Sequence, residues 1–314
     1  MDTRKKKATL KFGMLSVILF TFAVIVLFIN CNDTLNYTEN KGKANAYVLP
    51  YIPDTLYLCG ERVPLEYVDV KESLEKEMFK NTFWHSQTIQ IIKRANRYFP
   101  TIEKIFEEEG IPEDLKYIAI AESAFEFITS SAGAKGYWHF MEGTAKDYNL
   151  EVYSEVDERY HLEKSTRAAA QFLKKSYEKY NNWTLATASY NVGRRGVDRQ
   201  LNKQTGDTSY YDLLFNSETA RYVFRVLSYK LILESPETYG FYIPEEELYY
   251  PYKTKEITVK QTIPNLNDFA QSHGTNYKVL KILNPWLRNN KLTISQGNEY
   301  IIKLPKKNSG LWRE

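Results

Sequence analysis

Phe12 to Ile29 is an uncharged apolar run of 18 residues, FGMLSVILFTFAVIVLFI, preceded by Arg4, Lys5, Lys6, Lys7 and Lys11. At ~1.5 Å per helical residue it nearly spans a ~30 Å hydrocarbon core. The basic flank keeps its own end cytoplasmic, so the chain beyond about residue 32 is expected across the membrane. No small-residue cleavage site follows the run, which reads as a retained inner-membrane anchor with the body in the periplasm. Cys31 directly after it opens a second reading, acylation as a lipoprotein, although Asn30 stands where a small residue would be expected.

The anchor also explains the charge. The first eleven residues carry +4 once Asp2 is subtracted, so of the formal net charge of +3 the remainder holds −1. A near-neutral body has no clustered cations with which to replace counterions on a nucleic acid, and that class of partner is set aside. With 314 residues and 43% hydrophobic content, the chain is neither a stapled miniprotein nor disordered; about two domains are expected. Cys31 and Cys59 could form a disulfide in an oxidising compartment, or Cys59 could be buried and inert. His85, His139, His161 and His273 show no metal-ligand spacing, and no metal or cofactor is expected.

From residue 32 to 54 the chain is polar and aperiodic, a tether. Helical signals then dominate. Ile89 and Ile92 lead toward Pro100, where a break is expected, with Thr101 as N-cap of a new helix ended by Gly110. Pro112 restarts a helix, Ser165 to Tyr180 places Ala169, Phe172 and Ser176 on one face, and Ser217 opens a long run with Val223, Val226 and Leu227 inward. After Pro236 the sequence becomes rich in Tyr, Pro and charge, an extended connector. Glu256 to Thr262 and Glu299 to Leu304 have strand character, and Leu266 to His273 and Tyr277 to Asn284 read as short helices, in the order β-α-α-β.

Leu115, Ile118, Ala119 and Glu122 fall at i, i+3, i+4 and i+7, so a carboxylate shares a face with core residues. Two readings stay open: Glu122 is a desolvated carboxyl with raised pKa, suited to general acid work, or the apolar face simply ends there. The segment from Ser130 to Met141 joins small residues to an aromatic run, in which Trp138 and Phe140 either wall a flat ligand or fill the core. Ser189-Tyr190-Asn191-Val192-Gly193 closes a helix with a phenol and an amide.

Taken together, Glu122-Ser123, a glycine-containing loop, Gly136-x-Trp138-x-Phe140-Met141-x-Gly143-Thr144-Ala145, Ala188-Ser189-Tyr190-Asn191-x-Gly193 and Glu218-Thr219-x-x-Tyr222-Val223 form an ordered set. On these motifs, with Asp157-Glu158-Arg159 and Ser165-Thr166, residues 55 to 242 resemble the membrane-bound lytic murein transglycosylase D group. The resemblance implies a mainly α chain: a lysozyme-like all-α catalytic domain over 55–242, a linker over 243–254, and a small β-α-α-β LysM-like peptidoglycan-binding module over 255–305. Residues 1–31 precede these as the membrane or signal segment. It implies lytic cleavage of peptidoglycan with Glu122 as the single acid/base. Ser130 (or Ser131), Trp138, His139, Tyr190, Asn191 and Glu218 are implied on the substrate side. Neither metal nor cofactor is needed.

Two positions depart from the group. His139 stands where it usually has glutamine, and Glu142 where it has proline. A protonated His139 could not accept from a sugar hydroxyl and would favour the ionised form of Glu122, so His139 is read as tuning substrate binding. A hydrolytic muramidase and a catalytically silent wall-binding protein remain the alternatives.

Overall fold

The computed structural model describes residues 49–311 except 205, 207 and 308. The apolar run, most of the tether and Cys31 lie outside the described residues. Among the described residues, no helix is long and apolar enough to cross a membrane. The chain divides into two units, Met1–Leu49 and Pro50–Glu314, and all the described helices and strands belong to the second.

A short antiparallel hairpin opens this unit, β1 (Leu56–Leu58) with β2 (Glu61–Val63). An all-α domain does not anticipate it. Its turn places Cys59 at φ 53°, with the Cys59 amide donating to Asp114 Oδ2 at 2.7 Å, and burial together with Asp114 and Glu61 pushes the thiol pKa up. Leu56, Leu58 and Val63 point into the main core, which is why three-residue strands persist here.

Helix α1 (Val68–Phe83) is followed by α2 (His85–Glu109). The break expected at Pro100 does not occur: Pro100 lies inside α2, and Gly110 ends it in the left-handed region at φ 69°. Ile91, Ile92 and Ala95 before the proline, and Ile102, Ile105 and Phe106 after it, are all buried. Burial of ~1.5–3 kcal/mol per large apolar side chain on both sides outweighs the ~3 kcal/mol that an interior proline costs. A 3₁₀ turn (Glu113–Lys116) leads into α3 (Tyr117–Ser123), and α4 (Glu142–Asp147) follows an irregular stretch.

Helix α5 (Leu162–Tyr180) lies at the centre, with Ala168, Ala169, Leu173 and Ser176 buried. Small residues on that face let its neighbours approach closely: α2, and then α6 (Trp183–Val192). Helix α7 (Arg194–Lys203) continues from α6, and α8 (Ser217–Glu234) packs across α1, α3 and α6. Asn216 caps α8, its side chain accepting from the amides of Glu218 and Thr219.

Residues after Gly240 run along α2, tied by Asn96 Nδ2 to the Tyr249 carbonyl (3.1 Å) and Arg97 Nε to the Tyr250 carbonyl (3.0 Å). The C-terminal module has the β-α-α-β order: β3 (Thr254–Val259), α9 (Leu266–Ser272), α10 (Tyr277–Leu283) and β4 (Tyr300–Pro305). The two strands pair antiparallel from Thr254↔Pro305 to Val259↔Tyr300. Fully buried Asn284 ties α10 to β4, donating to the Lys303 carbonyl and accepting from the Lys303 amide.

The module does not hang free. Val156 and Tyr160 of the helical body pack in one core with Leu266, Leu280, Trp286 and Leu304. The Asp157 amide donates to the Trp286 carbonyl and the Arg288 amide to the Glu155 carbonyl. Shared apolar burial and backbone pairing fix the two parts as one body.

Candidate active site

Glu122 sits on the last turn of α3, one turn on from Ile118 and Ala119; Tyr117, Ile118, Ala119 and Ile120 are all buried. The helix stops because Ala124 and Phe125 both take left-handed backbone, φ 47° and 56°. Such dihedrals cost ~1–3 kcal/mol each in residues with a Cβ and persist only where the surroundings impose them. Ser123 is one imposing group: its Oγ donates to carbonyls of Ala119 (3.0 Å) and Tyr137 (2.7 Å) and accepts the Phe125 amide (3.0 Å).

The opposing loop is held equally firmly. Tyr190 on α6 donates its hydroxyl to the Trp138 carbonyl at 2.9 Å, next to the carbonyl taken by Ser123. Lys135 and Phe140 pair as an isolated bridge, making a tight turn whose tip holds His139 at φ 47°. Gly136, at φ 83°, presses against Arg159: a Cβ there would lie 1.9 Å from the Arg159 carbonyl oxygen. Arg159 grips Asp157 with Nε and Nη2 (2.8 and 2.7 Å) and donates to the Phe140 carbonyl (3.2 Å). The Asp157-Glu158-Arg159 signature is therefore a clamp on the loop.

Trp138 is not a wall of the site. It is 0% exposed, its ring against Phe106 and Tyr190 and its Nε1 donating to Thr166 Oγ1 at 3.0 Å. The expectation that it touches substrate is corrected: a fully covered indole has no face left for a ligand. Phe140 is likewise buried. Ser130 closes its own loop, its Oγ accepting the Ala134 amide at 2.9 Å, and no hydrogen bond joins it to Glu122 among the described residues.

Tyr222 on α8 donates its hydroxyl to Glu122 Oε1 at 2.5 Å. The Glu122 carboxyl is desolvated although the residue as a whole is only partly covered, and its pKa is pushed up to about 7. Burial is the main cause and the Glu218 charge adds to it; the Tyr222 hydroxyl and Arg225 act in the opposite sense. The charge of Glu122 in turn raises the phenols of Tyr190 and Tyr222, although burial is their larger cause. Asn191 accepts from Thr219 Oγ1 at 2.8 Å, fastening the end of α6 to α8. Glu218 is exposed and accepts from Arg225 Nη1 at 2.9 Å. It is a counter-charge to Arg225.

His139 is half-buried, and burial lowers its pKa, so the imidazole is neutral near pH 7. Its Nε2 is buried with no hydrogen-bond partner among the described residues. A neutral ring can accept from or donate to a sugar hydroxyl, as glutamine would.

Glu122, Tyr190, Asn191 and Tyr222 are brought together from three helices. Tyr222 stands in the motif Glu218-Thr219-x-x-Tyr222-Val223, yet sequence reasoning does not place it on the acid. Arg225, one turn further on the same helix, escapes it as well. The i, i+3 spacing from Thr219 through Tyr222 to Arg225 is the signal that could have found them.

Helical architecture surrounds a desolvated glutamic acid, Glu122, and a β-α-α-β module is docked on the helical body. Residues 100–212 match the model of the Transglycosylase SLT domain, and residues 255–308 that of the Soluble lytic transglycosylase C-terminal LysM-like domain. The chain is a homologue of membrane-bound lytic murein transglycosylase D of Escherichia coli (strain K12). The two are 27% identical over 250 residues, 78% of this chain and 53% of the relative. It thus spans about half the length of the curated relatives it matches. A putative tributyltin chloride resistance protein of Alteromonas sp. is 27% identical over 130 residues, 41% of this chain and 62% of that one. The 70 kDa soluble lytic transglycosylase Slt70 of E. coli aligns at 20% identity and TM-score 0.40. That match covers 57% of this chain and 33% of Slt70, too distant to add to the assignment.

Proposed function

We propose that this protein is a peptidoglycan lytic transglycosylase that cleaves the β-1,4 bond between N-acetylmuramic acid and N-acetylglucosamine. Its body works in the cell envelope, held to the membrane by the N-terminal segment, with residues 55–242 catalytic and 255–305 binding the wall. The observation that carries the reading is the Glu122 carboxyl, poised at about 7 with the Tyr222 hydroxyl on its oxygen.

A carboxyl so poised can give a proton and take one back near neutrality. Glu122 donates its proton to the glycosidic oxygen, the bond from that oxygen to the muramoyl C1 breaks, and the leaving N-acetylglucosamine departs as an alcohol. The muramoyl C6 hydroxyl then attacks C1, its proton passing to the Glu122 carboxylate, and a 1,6-anhydro ring forms with no water consumed. The attacking hydroxyl is already part of the substrate, so proximity replaces the second carboxylate of ordinary glycosidases. Tyr222 supports the carboxylate between the two steps. His139, half-buried and neutral near pH 7 at the tip of the loop, tunes how the sugar is bound.

Purified peptidoglycan treated with the wild-type chain should release muropeptides one water lighter than hydrolytic products by mass spectrometry, and none with Glu122→Gln. Reducing-end products would make the protein a muramidase. Binding without turnover in either form would make it a silent wall-binding protein.

A further inference from the structure

Two ties meet at Asp157, one to the C-terminal module and one to the loop beside Glu122. On the module side, the body offers a short ribbon: Val152 and Asp157 bridge antiparallel, and the Tyr153 amide closes the turn on the Val156 carbonyl at 2.8 Å. The module lays residues 286–288 along it. Val156 bridges to Leu287, the Asp157 amide donates to the Trp286 carbonyl at 2.9 Å, and the Arg288 amide donates to the Glu155 carbonyl at 2.8 Å. At the tip, the Glu155 carboxylate accepts the Thr293 amide at 2.7 Å and pairs with Lys291 at 3.1 Å. Tyr300 of the module donates to Glu151 Oε2 at 2.5 Å. Val156, Trp286 and Leu287 are buried, so water cannot replace these bonds unless the module leaves.

On the loop side, the Asp157 carboxylate takes Nε and Nη2 of Arg159, and Arg159 Nη1 reaches the carbonyls of Phe140 (3.2 Å) and Gly133 (3.5 Å). The Arg159 carbonyl accepts the Tyr137 amide at 3.3 Å. One residue therefore holds the loop at both ends and in the middle. Tyr137 passes the constraint on, because its own carbonyl accepts from Ser123, the neighbour of Glu122. Asp157 and Arg159 are themselves buried and do not meet solvent. A buried ion pair gains little net stability once both ions are desolvated, whereas a guanidinium fork fixes direction.

We propose that Asp157 and Arg159 are positioning residues through which the docked module sets the His139 loop against Glu122, so that the rate of cleavage, and not only affinity for the wall, depends on the module. This rests on the proposed function for the reaction whose rate is read. A module that only binds wall changes KM alone. One that positions the loop changes kcat, since a misplacement of ~1 Å costs on the order of 100-fold in rate.

The test uses the full chain, with turnover of solubilised peptidoglycan strands and hydrogen exchange read by mass spectrometry. Val156→Asp puts a charge into the module's core, to which Val156 belongs, and leaves the main core untouched, so the module is driven off. Arg159→Lys keeps the charge opposite Asp157 and loses the fork that reaches the loop carbonyls, with the module still docked. Both variants should lower kcat about ten- to a hundredfold and speed exchange over residues 133–140. Exchange at Arg288 should quicken only in Val156→Asp, and KM should stay put in Arg159→Lys. Wild-type kcat in Arg159→Lys, or in Val156→Asp once Arg288 exchanges fast, overturns the proposal. Should Val156→Asp not fold, Glu155→Ala, which removes the side-chain tie to Thr293 and Lys291, is read in the same way. If wild type releases no muropeptides, the functional reading fails and exchange alone decides the coupling: residues 133–140 quickening when the module is driven off sustains it, and unchanged exchange there overturns it.

Discussion

A carboxyl held protonated to about pH 7 is a cost to the fold at higher pH, and that cost can be measured without any substrate. Glu122 has an ordinary value of 4.5 and is raised to about 7 by burial. Between these values the folded chain keeps a proton that the unfolded chain has released, so stability falls as pH rises through the window. Below about 4.5 both states are protonated and nothing is lost; above about 7 the full cost is present. At ~1.36 kcal/mol per pH unit the interval corresponds to about 3 kcal/mol, which water reaching the partly covered residue trims to ~1–3 kcal/mol. Glu122→Gln removes the ionisation and keeps an Oε1 that accepts from the Tyr222 hydroxyl. The variant should therefore be more stable than wild type by ~1–3 kcal/mol at pH 8 and equal to it at pH 4, as read by urea denaturation at both values. Equal stability at pH 8, or a less stable variant there, would refute the claim that the acid is desolvated.

Tyr222→Phe removes a hydrogen bond to the charged form worth ~1.5–3 kcal/mol, so Glu122 should lose its proton about one pH unit higher or more. The alkaline limb of the rate profile on peptidoglycan should move up accordingly. Thr166→Val leaves the buried Trp138 indole N–H without its acceptor and should cost ~1–3 kcal/mol, seen as a lower urea midpoint at unchanged slope. Gly136→Ala forces a Cβ against the Arg159 carbonyl at φ 83°; the dihedral alone costs ~1–3 kcal/mol, and hydrogen exchange of residues 133–140 should speed up relative to wild type. His139→Gln should change affinity for glycan while leaving the pH profile near neutrality in place, because the histidine is already neutral there.

Local chemistry made much of this legible in advance. The i, i+3, i+4, i+7 series ending at Glu122 set a carboxylate at the edge of a buried face, and the strand and helix periods of the C-terminal module gave its β-α-α-β order. Such patterns are properties of a few neighbouring residues, so the sequence alone determines them. Other features depend on residues far apart in the chain. Pro100 breaks a helix by local rules, but apolar burial on both sides of it keeps α2 continuous. Trp138 could wall a cleft or fill a core, and Phe106, Tyr190 and Thr166 decide for the core. Tyr222 reaches Glu122 across 100 positions, and the Asp157 amide finds its acceptor, the Trp286 carbonyl, in the C-terminal module. Which carboxyl is desolvated, which ring is covered and which hydroxyl lies on the acid are matters of packing between elements; only the tertiary structure decides them, because burial and hydrogen-bond geometry do not exist until the helices have closed on one another.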